Sequence, residues 1–389
     1  MKRSIYIMAL GAFGIITTEF GVIGILPMVA KEFHISIDTA GWLLSGFALT
    51  IALTGPFTTL LTAHINRRTM MSLVLLLFFL SNIMSGLSPD FTTLMIARIF
   101  PALLHPVFWS VATVAAAKQV APKDAPKAVA VVLAGLSTAT VLGVPLTTYV
   151  AGLLNWRYSF IVSGVINLAA FIALATLVPS MPVKERASIK DQLVVFQNKQ
   201  LWIALFSMLI MAAGMFATYS FLAEYLGKIS HMNDTEISLM LLLFGGAGIA
   251  GNWVAGIALS RNIILTTRIF LLSMIVIHLL AYTFAGLFLP MTVIISTWGF
   301  IHTAGFLIGQ TRTTTAAPEA PELATSLMVS FGNGGVMLGT FLGGYMIRTQ
   351  GTQAVIWMSI TLLAFCFVLS FAGNPVRSPK PADALGAAC

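Results

Sequence analysis

Long apolar runs alternate with short polar breaks along the whole chain. A helix needs about 20 apolar residues to cross the hydrocarbon core of a bilayer. Between the ninth and tenth runs, only Pro290 interrupts the apolar stretch. The pattern therefore predicts an all-α membrane protein with twelve transmembrane helices, at 5–28, 39–62, 69–88, 91–117, 127–150, 158–179, 201–226, 236–259, 267–288, 291–315, 323–347 and 353–373.

The composition argues against a water-soluble fold and against several classes of function. Hydrophobic residues make up 58% of the chain and charged residues 9%, whereas soluble proteins carry about 25% charged residues. The net charge of +8 does not indicate a nucleic-acid partner, because the basic residues lie in short loops between apolar runs. Cys366 and Cys389 alone cannot build a disulfide framework or a metal site. We therefore expect no nucleic acid, no metal and no cofactor, and no catalytic motif indicates an enzyme.

The distribution of Lys and Arg among the loops predicts the orientation of the chain. If the N-terminus is inside, four basic residues fall in outside loops: Lys31, Arg157, Lys228 and Arg348. Sixteen then fall in inside loops: Lys2, Arg3, Arg67, Arg68, Lys118, Lys123, Lys127, Lys184, Arg186, Lys190, Lys199, Arg261, Arg268, Arg312, Arg377 and Lys380. This excess predicts that both termini are cytoplasmic, which agrees with an even number of spans.

The chain divides into two halves that repeat one another. The long charged connection at 180–199 follows the sixth apolar run, so we expect one six-helix bundle at 1–179, a cytoplasmic linker at 180–199, and a second bundle at 200–389. Leu142-Gly143-Val144-Pro145-Leu146 aligns with Leu338-Gly339-Thr340-Phe341-Leu342 at an offset of 196. The repeat predicts two pseudo-symmetric bundles, as in many secondary transporters.

Ionisable residues inside apolar runs are costly in a membrane and are functional candidates. Glu19 and Arg98 lie at matching depths from the outer ends of their runs, so we expect an ion pair or a water-bridged pair. Burial favours the neutral acid and Arg98 favours the carboxylate, so the acid can take and release a proton. The alternative is a static pair that holds two helices. His105 can relay protons or bond to a backbone carbonyl.

Other polar and aromatic residues inside the runs are candidates for lining a substrate cavity. With Glu19, they are Phe108, Trp109, Tyr219, Glu224, Trp298, His302 and Asn333. Glu224 lies near the outer end of its run, where the alternative is a carboxylate in water. So few charges predict an apolar cavity with a few polar groups, suited to neutral, cationic or amphipathic cargo.

Four passages carry a resemblance to a known family. They are Gly11-Ala12-Phe13-Gly14 with Thr17-Thr18-Glu19-Phe20, the loop 62–68, Arg98 with His105 and Phe108-Trp109-Ser110, and Gly143-Val144-Pro145 with Asn155-Trp156-Arg157. With these passages the sequence resembles the major facilitator superfamily over its whole length. Within that superfamily it is most similar to the twelve-span drug:proton antiporter branch, which includes bacterial arabinose-type sugar and purine efflux permeases.

The resemblance implies a monomeric, multi-pass protein of a bacterial inner membrane, whose partners are protons, lipid and a small-molecule substrate. It implies a proton-coupled antiporter that exports amphipathic or drug-like molecules by alternating access. Sugar or nucleoside efflux is the alternative, and a membrane enzyme or channel is a remote one. It also implies conformational roles for a set of motif residues: Asn66, Arg67, Gly143, Pro145, Arg261 and Gly339.

The motifs depart from the family pattern at two places. In the loop 62–68, Thr62 and Asn66 replace the usual Gly and Asp, so we expect a weaker cytoplasmic latch. In the fifth run, Thr147 and Thr148 stand where the family usually has two glycines, whereas the second half keeps Gly343 and Gly344.

Overall fold

The computed structural model describes residues 2–62, 64–121, 124–182, 194–318 and 321–371. Within these residues, twelve helices are long and apolar enough to span a membrane. The first six are α1 (Arg3–Glu32), α2 (Trp42–Thr62), α3 (Arg67–Gly86), α4 (Phe91–Ala117), α5 (Ala128–Leu153) and α6 (Trp156–Leu177). The last six are α7 (Lys199–Lys228), α8 (Asp234–Arg261), α9 (Ile263–Thr283), α10 (Phe288–Ala316), α11 (Pro321–Gln350) and α12 (Thr352–Leu369).

The prediction of twelve helices is confirmed, and the predicted ends agree with the structure to within five residues. The predicted break at Pro290 is wrong. α9 ends at Thr283 and the chain turns at 284–287, around Gly286. Pro290 lies in the first turn of α10, where proline is tolerated because the first N–H groups of a helix have no intrahelical acceptor. Residues 183–193 of the predicted linker and the tail 372–389 lie outside the described residues.

Polar side chains cap the helices where the apolar runs begin. Backbone N–H groups donate to the side chains of Asn66, Asp90, Asn155, Asn198, Asn233 and Asn262, at the starts of α3, α4, α6, α7, α8 and α9. The backbone N–H of Thr93 donates to the carboxylate of Asp90 and lowers its pKa, and the hydroxyl of Thr93 does so to a smaller extent. These caps satisfy N–H groups that the first turn of a helix leaves free.

Two helices that correspond in the repeat are interrupted. α1 is α-helical to Phe20, forms a 3-10 turn over Gly21–Ile25, and resumes at Leu26. α7 breaks between Tyr219 and Leu222. Such breaks leave carbonyl groups that need a partner within a membrane.

Small residues let equivalent helix pairs approach closely in the two bundles. A Cβ atom built on Gly143 would lie 2.2 Å from Oγ1 of Thr17, and one on Gly339 would lie 2.2 Å from the carbonyl oxygen of Ala213. Thr17 and Ala213 are themselves 196 positions apart, as are the two glycines. α5 therefore packs on α1 as α11 packs on α7, and the sequence repeat is a structural repeat of two six-helix bundles.

The two bundles contact one another at one end of the molecule and farther inside it. We call the end where α1 finishes the Glu32 face, and the opposite end the Lys2 face. At the Glu32 face Asp38 lies 3.6 Å from Arg348 of the other bundle. Farther in, the hydroxyl of Ser238 donates to the carbonyl of Pro145 at 2.9 Å.

Candidate functional site

Glu19 forms a buried pair with His105. Its Oε2 lies 3.0 Å from Nε2 of His105, and both side chains are 3–4% exposed. Glu19 precedes the end of the α-helical part of α1 by one residue and lies thirteen residues before Glu32, or about 20 Å along the helix. The pair therefore sits well inside the spans of α1 and α4.

Arg98 contacts the backbone of α1 and not the carboxylate of Glu19. Nη1 donates to the carbonyl of Thr18 at 3.2 Å and Nη2 to the carbonyl of Glu19 at 3.4 Å, while Nε donates to the carbonyl of Leu43 on α2 at 3.2 Å. The prediction of a direct ion pair between Glu19 and Arg98 is wrong. The physical reason is the break in α1, whose last α-helical carbonyls need donors that Arg98 supplies.

Aromatic rings surround the guanidinium group of Arg98 and the imidazole ring of His105. The guanidinium carbon of Arg98 lies 5.2 Å from the ring centre of Phe47 and 5.7 Å from that of Phe160. The ring of His105 lies 6.0 Å from that of Phe47 and 6.3 Å from that of Phe78. These rings exclude water, so charges here interact more strongly than at a surface.

Trp109 is the second partner of His105. Its Nε1 lies 3.2 Å from Nε2 of His105, the same nitrogen that faces Glu19. Among the described residues, Nδ1 of His105 has no hydrogen-bond partner. The alternative of a histidine held by a backbone carbonyl is therefore not what the structure shows. Trp109 itself is half-buried.

A polar cluster holds α1 next to Glu19. The side-chain amides of Asn82 on α3 and Asn167 on α6 donate to Oγ1 of Thr18 at 2.9 and 3.1 Å. Asn167 also donates to the carbonyl of Gly14 at 3.1 Å. Sequence analysis missed both asparagines, although a carboxamide inside an apolar run is a signal of the same kind as Glu19.

The second bundle brings three of the predicted cavity residues together around Phe244. The ring of Tyr219 stacks on that of Phe244 at 4.8 Å, and the ring of His302 lies 4.7 Å from that of Tyr219. Trp298 lies 6.1 Å from Phe244. Met215 stands 196 positions after Glu19, so at the position that corresponds to Glu19 in the repeat the second bundle carries an uncharged residue. The two bundles thus present an ionisable site on one side and an aromatic cluster on the other.

Two predicted cavity residues have other contacts. Phe108 is fully buried, and its ring occupies the space beside Gly11, where a Cβ would lie 2.7 Å from Cζ. Phe108 packs α4 against α1, so the prediction that it lines a cavity is wrong. Asn333 donates to the carbonyl of Val329 in its own helix at 3.0 Å.

Glu224 lies at the Glu32 face, apart from Glu19. It is 5% exposed and its Oε1 lies 2.6 Å from Nζ of Lys228, so the alternative of a carboxylate in water is wrong. It lines a cavity of about 720 Å³ between the bundles, together with Asp38 and Arg348.

The predicted motif residues of the loop 62–68 bind within the first bundle. Nδ2 of Asn66 donates to Oγ of Ser180 at 2.7 Å, and its Oδ1 accepts from the N–H of Met181 at 3.3 Å. The backbone N–H of Arg67 donates to the carbonyl of Met181 at 3.1 Å. The loop therefore holds the end of α6. Arg261 is exposed at the end of α8.

Twelve membrane-length helices in two repeated bundles, with a buried acid inside the first bundle and an aromatic cluster in the second, define a membrane transport protein rather than an enzyme. The family model of the Major Facilitator Superfamily matches residues 8–321. The chain belongs to this superfamily.

Relatives and solved structures agree with this assignment. The inner membrane transport protein YdhP of Escherichia coli strain K12 is 33% identical over 344 residues, which cover 87% of each chain. A protein of Helicobacter pylori strain P12 named "Probable sugar efflux transporter" is 28% identical over 90% of each chain. A bacterial homologue of the human lysosomal transporter Spinster, solved in an inward-facing and occupied conformation, superposes with a TM-score of 0.76 at 15% identity over 95% of each chain, which shows a shared fold.

Proposed function

We propose that this chain is a proton-coupled antiporter that exports small amphipathic molecules by alternating access. The observation that carries the proposal is the contact of 3.0 Å between Glu19 and His105. Four ion pairs are recorded among the described residues, and the other three lie at the Glu32 face. Ionisable groups deep in a membrane protein are costly and mark proton or ion pathways.

The geometry supports a proton site that moves as a unit. Glu19, Arg98 and His105 all belong to the first bundle, and Arg98 fixes the backbone of Glu19. When the bundles rock against each other, this site stays intact while the face to which it opens changes. A proton bound from one side is thereby released to the other, and cargo that competes with it moves in the opposite direction.

The orientation that we propose places the Lys2 face in the cytoplasm. The sequence assigns sixteen basic residues to the loops and termini on that side and four to the loops of the Glu32 face. In a bacterial inner membrane the Glu32 face is then external, so protons enter from the Glu32 face and cargo leaves through it.

The cargo that we propose is apolar or amphipathic, because the second bundle offers rings rather than charges: Tyr219, Phe244 and His302. Sugar or nucleoside efflux is a second candidate. It is favoured by the name of the Helicobacter pylori relative and by the half-buried indole of Trp109, whose flat face and N–H suit a sugar ring.

Proton release from the purified, detergent-solubilised protein tests the proposal. Rhodamine 6G, a lipophilic cation, and L-arabinose serve as probes of the two cargo classes. We expect one of them to release protons from the wild type and from Glu32→Gln, and not from Glu19→Gln. Glu32 is the matched control because it is the other glutamate of α1 and pairs with Arg157, away from Glu19. Release that persists in Glu19→Gln refutes Glu19 as the proton site, and cargo binding without release refutes antiport.

A further inference from the structure

One nitrogen of His105 faces two partners that cannot both be satisfied. Nε2 lies 3.0 Å from Oε2 of Glu19 and 3.2 Å from Nε1 of Trp109. A neutral imidazole nitrogen carries either a proton or a lone pair, and an indole N–H can only donate. If Nε2 carries a proton, it donates to the carboxylate and two N–H groups point at each other. If Nε2 carries a lone pair, it accepts from Trp109.

We infer that Trp109 is the positioning residue that couples the proton on Glu19 and His105 to cargo, because it hydrogen-bonds to His105 only when the pair is protonated. The inference rests on the proposed function. The protonated pair holds two protons, one on the acid of Glu19 and one on Nδ1 of His105, and leaves Nε2 as an acceptor. When Nδ1 releases its proton, the acid proton of Glu19 moves to Nε2. This leaves a carboxylate and a neutral imidazole whose single N–H is directed to Glu19, so the N–H of Trp109 is released.

The position of Trp109 fits this role. Glu19 and His105 are almost fully buried, whereas Trp109 is half-buried one turn farther along α4 and packs against both apolar clusters of the molecule. It is the member of the three whose side chain is partly exposed. We expect the released N–H to bind a ligand, with the indole face as an apolar platform beside it.

This geometry narrows the class of cargo. A molecule that binds the released N–H must present an acceptor oxygen next to a flat apolar face, as the ring of a sugar or an aromatic ester or amide does. It binds best when the pair has lost its proton. Proton and cargo then compete for one hydrogen-bond donor, which is the exclusion that antiport requires.

Other ionisable groups around the pair do not account for the same switch. Arg98, on the same helix, uses its donors on the carbonyls of Thr18, Glu19 and Leu43. The groups that α2 and α3 place against the His105 ring are the uncharged rings of Phe47 and Phe78. Within the described residues, the imidazole itself is therefore the group that can exchange Glu19 for Trp109.

The test follows the indole N–H signals of the full-length protein, labelled with ¹⁵N at its tryptophans, in lipid nanodiscs between pH 5.5 and 9. The chain has seven tryptophans. Trp109→Phe identifies the signal of Trp109, and Trp202, whose N–H donates to the carbonyl of Phe196 at 2.8 Å, is the internal control. We expect the Trp109 proton signal to move downfield on acidification, with a midpoint that is lost in Glu19→Gln, while the Trp202 signal stays constant. A Trp109 signal that does not titrate, or that titrates unchanged in Glu19→Gln, overturns the inference.

The amount of proton released by three variants separates this inference from the proposed function. We expect Trp109→Phe to reduce probe-induced proton release at least tenfold, with Trp202→Phe unchanged. If Glu19→Gln abolishes release and Trp109→Phe retains it, the proton site stands and the role of Trp109 is refuted. If Glu19→Gln retains release, the proposed function fails whatever Trp109 does.

Discussion

Nη1 of Arg98 donates to the carbonyl oxygen of Thr18 at 3.2 Å, at the turn where α1 leaves the α-helical conformation. The contact gives the buried arginine an architectural role and leaves Glu19 and His105 facing each other. Because the same guanidinium also contacts the carbonyls of Glu19 and Leu43, it joins α4 to α1 and α2 at one point.

The first prediction separates these roles by stability. Arg98→Leu leaves the carbonyls of Thr18 and Glu19, at the break in α1, without their donor, at about 1–3 kcal/mol each, so we expect a thermal unfolding midpoint in detergent lower by several degrees or more. Glu19→Gln keeps a polar side chain of equal size, and we expect its midpoint to stay within a few degrees of the wild type. If Glu19→Gln destabilises as much as Arg98→Leu, the two side chains depend on each other and the capping account is wrong.

The sequence predicts much of the fold because the membrane reduces the problem to length and hydrophobicity. Each span needs about 20 apolar residues, so helix number and approximate ends follow from the pattern. Pro290 does not break the chain, because proline is tolerated in the first turn of a helix. The actual turn at Gly286 carries no polar residue, so hydropathy alone does not reveal it.

The partners within the site were harder to predict than its members. Glu19, Arg98 and His105 stand out as ionisable residues in apolar runs, but matching depth did not identify which side chains touch. The break in α1 after Phe20 decides this, because it frees the carbonyls that attract Arg98 and leaves His105 to face the carboxylate. That break depends on contacts of α1 with other helices, which a single sequence does not display.

The second prediction concerns the small residues that join α11 to α7. In Gly339→Ala the new Cβ meets a backbone carbonyl of Ala213 at 2.2 Å, and a helix backbone cannot move aside as a side chain can. We expect a loss of about 1–3 kcal/mol in stability, as for overpacked cores. Gly256→Ala on α8 is the control, since nothing lies within 4 Å of its new Cβ. Fluorescence-monitored thermal unfolding in detergent measures both variants, and equal midpoints contradict close packing at Gly339.

The third prediction concerns the Glu32 face of the first bundle. Nε1 of Trp156 donates to Oε2 of Glu32 at 2.6 Å, and Arg157 binds the other carboxylate oxygen. Trp156→Phe keeps an aromatic ring in place but removes the N–H, so we expect a loss of about 1.5–3 kcal/mol, the range for a hydrogen bond to a charged group. The partial exposure of Glu32 favours the lower end of that range. Urea or thermal unfolding measures the loss against Trp357→Phe, whose ring is 41% exposed. A Trp156→Phe variant as stable as this control contradicts the prediction.

The last prediction tests whether the Glu32 face opens during transport. Asp38 and Arg348 lie 3.6 Å apart across the two bundles, but the arginine is 60% exposed, so their attraction is worth about 1 kcal/mol or less and Asp38→Asn changes stability little.

A covalent bridge between the same two positions holds the bundles together, which this weak ion pair does not. In a background with Cys366→Ser and Cys389→Ser, cysteines at 38 and 348 joined by a thiol-specific crosslinker prevent separation of the bundles at this face. We expect crosslinking to stop efflux of whichever probe releases protons, and reduction to restore it. Cysteines at Glu32 and Arg157, both in the first bundle at the same face, form the control pair, and their bridge leaves the bundles free to move. Full efflux from a completely crosslinked 38–348 protein means that cargo does not leave by separation of the bundles here.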